Sequence, residues 1–212
     1  MKVLEALKTR RTIRKFKNKT ISLQIIKNVL SAARFYPSAA NLQYIECVVV
    51  RDKNKVNKIF NFTRWAGYLY PDGTPSNTER PPCFIIVLKN YRKSPEPDLR
   101  DIGAFVHSCL LGFWEYGIGS CWIASCDKKE ISHLLKLPSW CKVDSVVAVG
   151  YPSHKVKAVS LPRTSESPGC KPVVRGVQET VRYYINKRGV WCVPKRPLAD
   201  VVFYERYGGR RK

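Results

Sequence analysis

Leu99-Arg100-Asp101-Ile102-Gly103-Ala104-Phe105-Val106-His107-Ser108-Cys109-Leu110-Leu111-Gly112-Phe113-Trp114-Glu115-Tyr116 is the longest helical pattern in the chain. Ile102, Phe105, Val106, Cys109, Leu110 and Phe113 recur at helical spacing and crowd one side, the mark of a helix packed deep in a core. Apolar runs at 83–88 and 120–124 stand on either side of it in sequence and read as strands. A buried helix bracketed by strands predicts helices packed on a sheet.

Further out, Val3, Leu4 and Leu7 fall on one face of a short helix ending near Arg10. Ser22 is a plausible N-cap for a longer helix with Ile26, Val29, Leu30 and Ala33 in its stripe, stopped by Pro37. Residues 44–50 read as a strand and 53–60 as a helix with Val56, Ile59 and Phe60 turned inward. Residues 61–82, carrying Gly67, Pro71, Asp72-Gly73, Pro75, Pro81 and Pro82, form a long loop, and loops of that length are often functional. Asp127 caps a helix containing Ile131, Leu134 and Leu135, and 145–150 gives another strand. This order predicts an α+β fold, an α/β sandwich with a mixed central sheet surrounded by helices.

After Tyr151-Pro152 the texture turns to Pro, Gly, Ser, Lys and Arg, with one candidate helix around 177–184, an apolar pattern over 197–203 and a basic tail at 208–212. Residues 1–212 therefore read as a single domain with an insertion at about 153–193, a lid or a dimer arm.

The 212 residues include 44% hydrophobic residues, enough for a sizeable core, and a formal net charge of +22 that attracts anions of any kind. Residues 1–20 alone hold eight Lys or Arg against one acid. The eight cysteines have no CxxC or paired metal-ligand spacing and most lie in apolar runs, as buried reduced thiols do. No signal core and no apolar run of about 20 residues is present, so a cytoplasmic location is expected. Gly117-Ile118-Gly119-Ser120 follows a helix and precedes a strand, the reverse of a dinucleotide-binding turn, and reads as a helix C-cap. The three histidines are far apart and define no metal site. A basic nucleic-acid-binding protein is the rival class, but no helix-turn-helix, RNA-recognition or zinc pattern supports it.

Two short stretches carry chemistry. Arg10 and Arg14 are four apart and would share a face if their turn were helical, with the Thr12 hydroxyl beside them, a set suited to a phosphate and a polyol chain. In Pro37-Ser38-Ala39-Ala40-Asn41, small residues would let a flat ring approach the backbone, and Asn41 offers both a donor and an acceptor. Each stretch alone also suits a charged face or a helix stop.

Read together, and in order with Asp101-Ile102-Gly103-Ala104, Gly117 to Ile123, Ala148 to Pro152 and Pro194 to Val202, they resemble the FMN-dependent nitroreductase family over nearly the whole chain. The resemblance implies a domain-swapped homodimer and FMN as cofactor, with NADH or NADPH as electron donor. It implies a ping-pong oxidoreductase that reduces an electron-poor acceptor such as a nitroaromatic or quinone; a reductive dehalogenase or a non-catalytic flavin-binding protein are the alternatives. No membrane partner is implied. Arg10, Arg11, Thr12 and Arg14, with Lys195 and Arg196, would hold the phosphate and ribityl end. Pro37, Ser38, Ala39 and Asn41 would lie against the ring, and Trp122, Ile123 and Ala124 would face it with backbone. Arg64 and Trp65 are candidates for the substrate side, and no residue is assigned as catalytic because the flavin carries the chemistry.

Overall fold

A computed structural model describes residues 1–161, 181–198 and 201–207, and the chain divides into two compact units, Met1–His154 and Lys155–Lys212. In the first unit, helices α1 (Val3–Thr9), α2 (Leu23–Ala33), α3 (Lys53–Asn61), α4 (Leu99–Glu115) and α5 (Lys128–Leu134) accompany strands β1 (Ile45–Val50), β2 (Cys83–Asn90), β3 (Gly119–Ile123) and β4 (Cys141–Gly150). The caps are where the sequence puts them. Ser22 Oγ accepts the Gln24 N–H, and Asp127 accepts from Lys129 and Glu130 at the start of α5.

The strands lie in the order β1-β2-β4-β3, and every pairing is antiparallel. The expected mix of strand directions is therefore absent from the hydrogen-bonded ladder of this sheet. The reason is topological: β2 and β3, joined through α4, do run parallel, but β4 inserts between them and pairs with both.

The core forms where α2 and α4 lie on the sheet. Ile26, Val29 and Ala33 of α2 meet Ile102, Phe105, Val106, Cys109 and Phe113 of α4 over Ile85, Val87, Val147 and Val149. Phe113 and Val106 are fully buried, and each such side chain contributes about 1.5–3 kcal/mol. α1 departs from this pattern. Only its Ala6 is buried, while Val3 and Leu4 remain about 70% exposed and Leu7 45%.

In the second unit, β5 (Val156–Ser160) pairs parallel with β7 (Trp191–Lys195), and β6 (Tyr184–Ile185) pairs antiparallel with β7. Tyr184 thus opens a strand rather than closing the expected 177–184 helix. The turn after it decides this: Asn186 Oδ1 accepts the N–H groups of Arg188 and Val190, and Gly189 takes a φ of 69°. Residues 177–180 of that predicted helix, the central part of the 153–193 insertion, part of the 197–203 pattern, the tail at 208–212 and Cys170 lie outside the described residues. The seven described cysteines are free thiols, and among the described residues no helix is long and apolar enough to cross a membrane.

Candidate functional site

The arginine-rich segment is not helical. α1 ends at Thr9, and Arg10 takes φ −54°, ψ 131°, so the face that Arg10 and Arg14 were expected to share as i, i+4 neighbours does not form. Instead the chain runs across strand ends of the sheet. The Ile13 N–H donates to Ser120 O at 2.9 Å, Phe16 N–H to Glu79 O at 2.9 Å and Lys17 N–H to Tyr151 O at 2.8 Å. Ile13 and Phe16 are buried at 2% and 0% exposure.

Two glycines make room for them. Gly119 of β3 and Gly150 of β4 stand opposite each other in register. A Cβ on Gly119 would lie 2.5 Å from Ile13 Cγ1, and one on Gly150 would lie 2.7 Å from Phe16 Cδ1. The arginine arm therefore exists because two facing positions of the sheet carry no side chain. Gly117, at φ +67°, plays the C-cap part expected of it.

The arm concentrates charge. Burial pushes the Arg10 guanidinium down from its ordinary value, and the Arg11 cation adds to the effect; burial lowers Arg11 as well. Arg11 Nη1 donates to Arg10 O and Nη2 to Lys8 O at 2.6 Å, closing the carbonyl end of α1, while its Nε is buried without a hydrogen-bond partner among the described residues. Neither Arg10 nor Arg11 joins an ion pair among the described residues. Arg14 lies on the β3 side: its charge is felt at Cys121, whose thiol burial pushes up to about 11 against that pull, and at His154.

The second stretch is a strained turn. Ala39–Asn41 form a single 3-10 turn, and Ala40, Asn41 and Gln43 have φ of 47°, 55° and 46°. Non-glycine residues held there cost of order 1–3 kcal/mol each, so something must hold them. Asp101, the third residue of α4, does so. Its Oδ2 accepts Ser38 Oγ–H at 3.0 Å and Ala39 N–H at 2.9 Å, and Ser38 Oγ in turn accepts the Gln43 N–H at 3.1 Å. Gln43 Nε2 donates to Asn41 Oδ1 at 2.9 Å. The Ser38 hydroxyl is thus spent on the fold, while Pro37, Ala39 and Asn41 stay exposed. Sequence reading gave Asp101 no role. The available signal was a carboxylate one turn before Phe105, on the apolar side of a core helix.

At the end of β3 the ladder stops with Ile123, which is buried, while Trp122 is 43% exposed and donates its ring N–H to Ser145 Oγ at 2.7 Å. Beyond it, Ala124, Ser125, Cys126 and Asp127 line a cavity of about 360 Å³ together with Asn61, Phe62 and Arg64. The Arg64 N–H donates to Ser125 O at 2.9 Å, so the long loop and the β3 end meet. Trp65 does not belong with them. It is 5% exposed, its ring tilts against Phe60 with centroids 5.5 Å apart, and its N–H donates to Thr63 Oγ1 at 2.8 Å. It is a core residue, turned inward while its neighbour Arg64 stays exposed. Lys195 closes β7 in the second unit, with Arg196 directly after it, and both are exposed.

The sequence model described as the Nitroreductase family matches residues 7–151. A protein of Archaeoglobus fulgidus named "Putative NADH dehydrogenase/NAD(P)H nitroreductase" is 31% identical over 162 residues, which are 72% of this chain and 86% of that protein. Among solved structures, an FMN-dependent nitroreductase of Clostridium difficile R20291 is 26% identical with a TM-score of 0.62, over 73% of this chain and 90% of its own. A nitroreductase family protein of Clostridium difficile 630, 20% identical, shares the fold at a TM-score of 0.62 over 97% of this chain and 99% of its own.

Proposed function

The chain belongs to the nitroreductase family, and we propose that it is an FMN-dependent NAD(P)H oxidoreductase reducing an electron-poor small molecule, a nitroaromatic or quinone, with ping-pong kinetics. The observation that carries this reading is the Arg10–Arg11 pair: two partly desolvated cations side by side, without a carboxylate partner among the described residues and with one buried N–H unmet. Such a pair calls for an anion with several acceptor oxygens, and a flavin phosphate answers that chemistry. The donor set and the small-residue turn therefore fit FMN.

Bound FMN supplies the hydride chemistry, from reduced nicotinamide to acceptor. Arg10, Arg11, Thr12 and Arg14 bind the phosphate and ribityl end, and the family resemblance adds Lys195 and Arg196. Pro37, Ala39 and Asn41 present small or amide groups to the ring, with Ser38 holding their turn. The backbone after Trp122 and Ile123, through Ala124, borders the ring, and Arg64 stands on the substrate side of the cavity it shares with Ala124. One pocket serves donor and acceptor in turn, so the chain needs no acid–base dyad of its own. The net charge of +22 draws in the anionic nicotinamide dinucleotide. A homodimer completes the reading, supported by the exposed Val3, Leu4 and Leu7 on α1.

The visible spectrum of the purified protein tests it. Two flavin bands are expected, bleached anaerobically by NADH or NADPH and restored by air or a nitroaromatic. Bands that no reduced nicotinamide bleaches would reduce the protein to a flavin carrier. A colourless protein that refuses added FMN would end the flavin reading.

A further inference from the structure

We propose that Asp101 is the positioning residue of the site, holding the Pro37–Asn41 turn in its ring-facing form through Ser38 and Ala39; the inference rests on the flavin reading above.

Asp101 is 6% exposed yet belongs to no ion pair among the described residues. A buried carboxylate is costly unless hydrogen-bonded, and this one sits in the first turn of α4, where free N–H groups and the helix dipole favour an anion. Both donors it takes, Ser38 Oγ–H and Ala39 N–H, come from the turn, and both reach one oxygen, Oδ2. A charged oxygen holds two donors more strongly than a neutral one would. The hold is then passed on. Ser38 Oγ accepts the Gln43 N–H at 3.1 Å, and Gln43 binds the Asn41 carboxamide at 2.9 Å, so one chain of hydrogen bonds runs from α4 to the exposed amide. It spans all three left-handed residues, Ala40, Asn41 and Gln43.

The buried groups facing Asp101 are aromatic, while the exposed Arg100 beside it on α4 feels its charge. Tyr44 lies close, its phenol pushed up to about 12 by burial and by the Asp101 charge, and donates to Asp98 O. Tyr36 packs edge-on against Phe105, one turn along α4, with a buried hydroxyl that has no hydrogen-bond partner among the described residues. Among the described residues, the hydrogen bonds to the carboxylate come from the turn alone.

The test compares Asp101→Ala, Asp101→Asn, Ser38→Ala and the Asp101→Ala/Ser38→Ala double variant with Asp98→Ala. Asp98→Ala removes the α4 N-cap, which accepts the Arg100 N–H, without touching the turn. Three readouts are taken: FMN Kd by flavin-fluorescence titration of the apo-protein, hydrogen–deuterium exchange over residues 37–43, and Tm. Asp101→Ala is expected to weaken FMN about tenfold or more and to speed exchange across the turn, with Asp101→Asn in between. The double variant should be no worse than Asp101→Ala, because both act on one chain of bonds. Asp98→Ala should lower Tm while leaving FMN within about twofold.

Asp101→Ala and Ser38→Ala proteins that bind FMN like wild type, or an Asp98→Ala loss as large as theirs, would overturn the assignment while the flavin reading stands. A wild-type protein that takes no FMN would sink the flavin reading separately. Exchange at 37–43 would then decide the anchoring alone: faster in Asp101→Ala upholds it, unchanged overturns it.

Discussion

Arg10→Gln is expected to weaken FMN binding by one to two orders of magnitude while the apo-protein melts at the same temperature or slightly higher. The two halves follow from the same observation. In the apo-protein Arg10 is partly desolvated beside Arg11, and no carboxylate among the described residues repays the cost. Glutamine removes the repulsion and keeps most of the stem, so folding loses nothing. With ligand present the balance reverses: a charge-assisted hydrogen bond is worth about 1.5–3 kcal/mol, roughly ten- to 150-fold in Kd. Arg10→Lys should recover only part of the affinity, since an ammonium cannot meet two phosphate oxygens in the planar fork that a guanidinium offers. Arg11→Gln differs in kind, because Arg11 also closes the end of α1 on the Lys8 and Arg10 carbonyls and its loss should lower Tm. Titration of the apo-variants with FMN, alongside thermal melts, checks all three. Wild-type affinity in Arg10→Gln would remove the phosphate from this arm.

What could be read in advance was local. The α4 pattern declares a buried helix because six apolar side chains at helical spacing have one consistent explanation, and Phe113 and Val106 are indeed sealed. Ser22 and Asp127 declare helix starts for a similar reason: a short polar side chain before an apolar stripe meets the first free N–H groups. Strand adjacency is different in kind. Nothing in 141–150 says that it will slip between β2 and β3, since every β-run here is apolar on its own and partner choice depends on the helices packed above. The arginine arm shows a second limit. Helical and extended readings of 10–16 both place charges together, and only the empty space over Gly119 and Gly150, contributed by residues more than a hundred positions away, selects the extended one. Trp65 marks a third. An aromatic in a Pro/Gly-rich loop looks like a contact residue, but Thr63 gives its ring N–H a buried partner and Phe60 gives its face a neighbour, which pulls it into the core. Asp101 was visible as a residue and invisible as a function, because its partners are a hydroxyl and a backbone N–H some sixty residues earlier.

Gly119→Ala is expected to damage stability and cofactor binding together, and more severely than Gly150→Ala. The new Cβ on Gly119 would stand 2.5 Å from Ile13 Cγ1, 2.6 Å from its Cβ and 2.8 Å from its Cγ2. Ile13 cannot swing aside, because a β-branched side chain has few χ1 choices and one of the clashing atoms is the Cβ itself. The backbone of the arm must move, at the expense of the Ile13 N–H bond to Ser120 O. Overpacking of this kind costs about 1–3 kcal/mol, roughly 2–12 °C in Tm for a chain of this size. The displacement carries Arg10, Arg11, Thr12 and Arg14 with it, so FMN affinity should fall further than the stability loss alone explains. Over Gly150 the nearest atoms are Phe16 Cδ1 and Pro82 Cδ, both at 2.7 Å; the phenyl ring can tilt, and the proline ring, which cannot, lies outside the arginine arm, so less of the strain falls on the arm. Ile13→Ala combined with Gly119→Ala should restore only part of the loss, since it clears both Cγ atoms but leaves the Cβ contact. Equal FMN affinity in Gly119→Ala and wild type would show that the arm tolerates displacement, and the facing glycines would then matter to packing without setting the site.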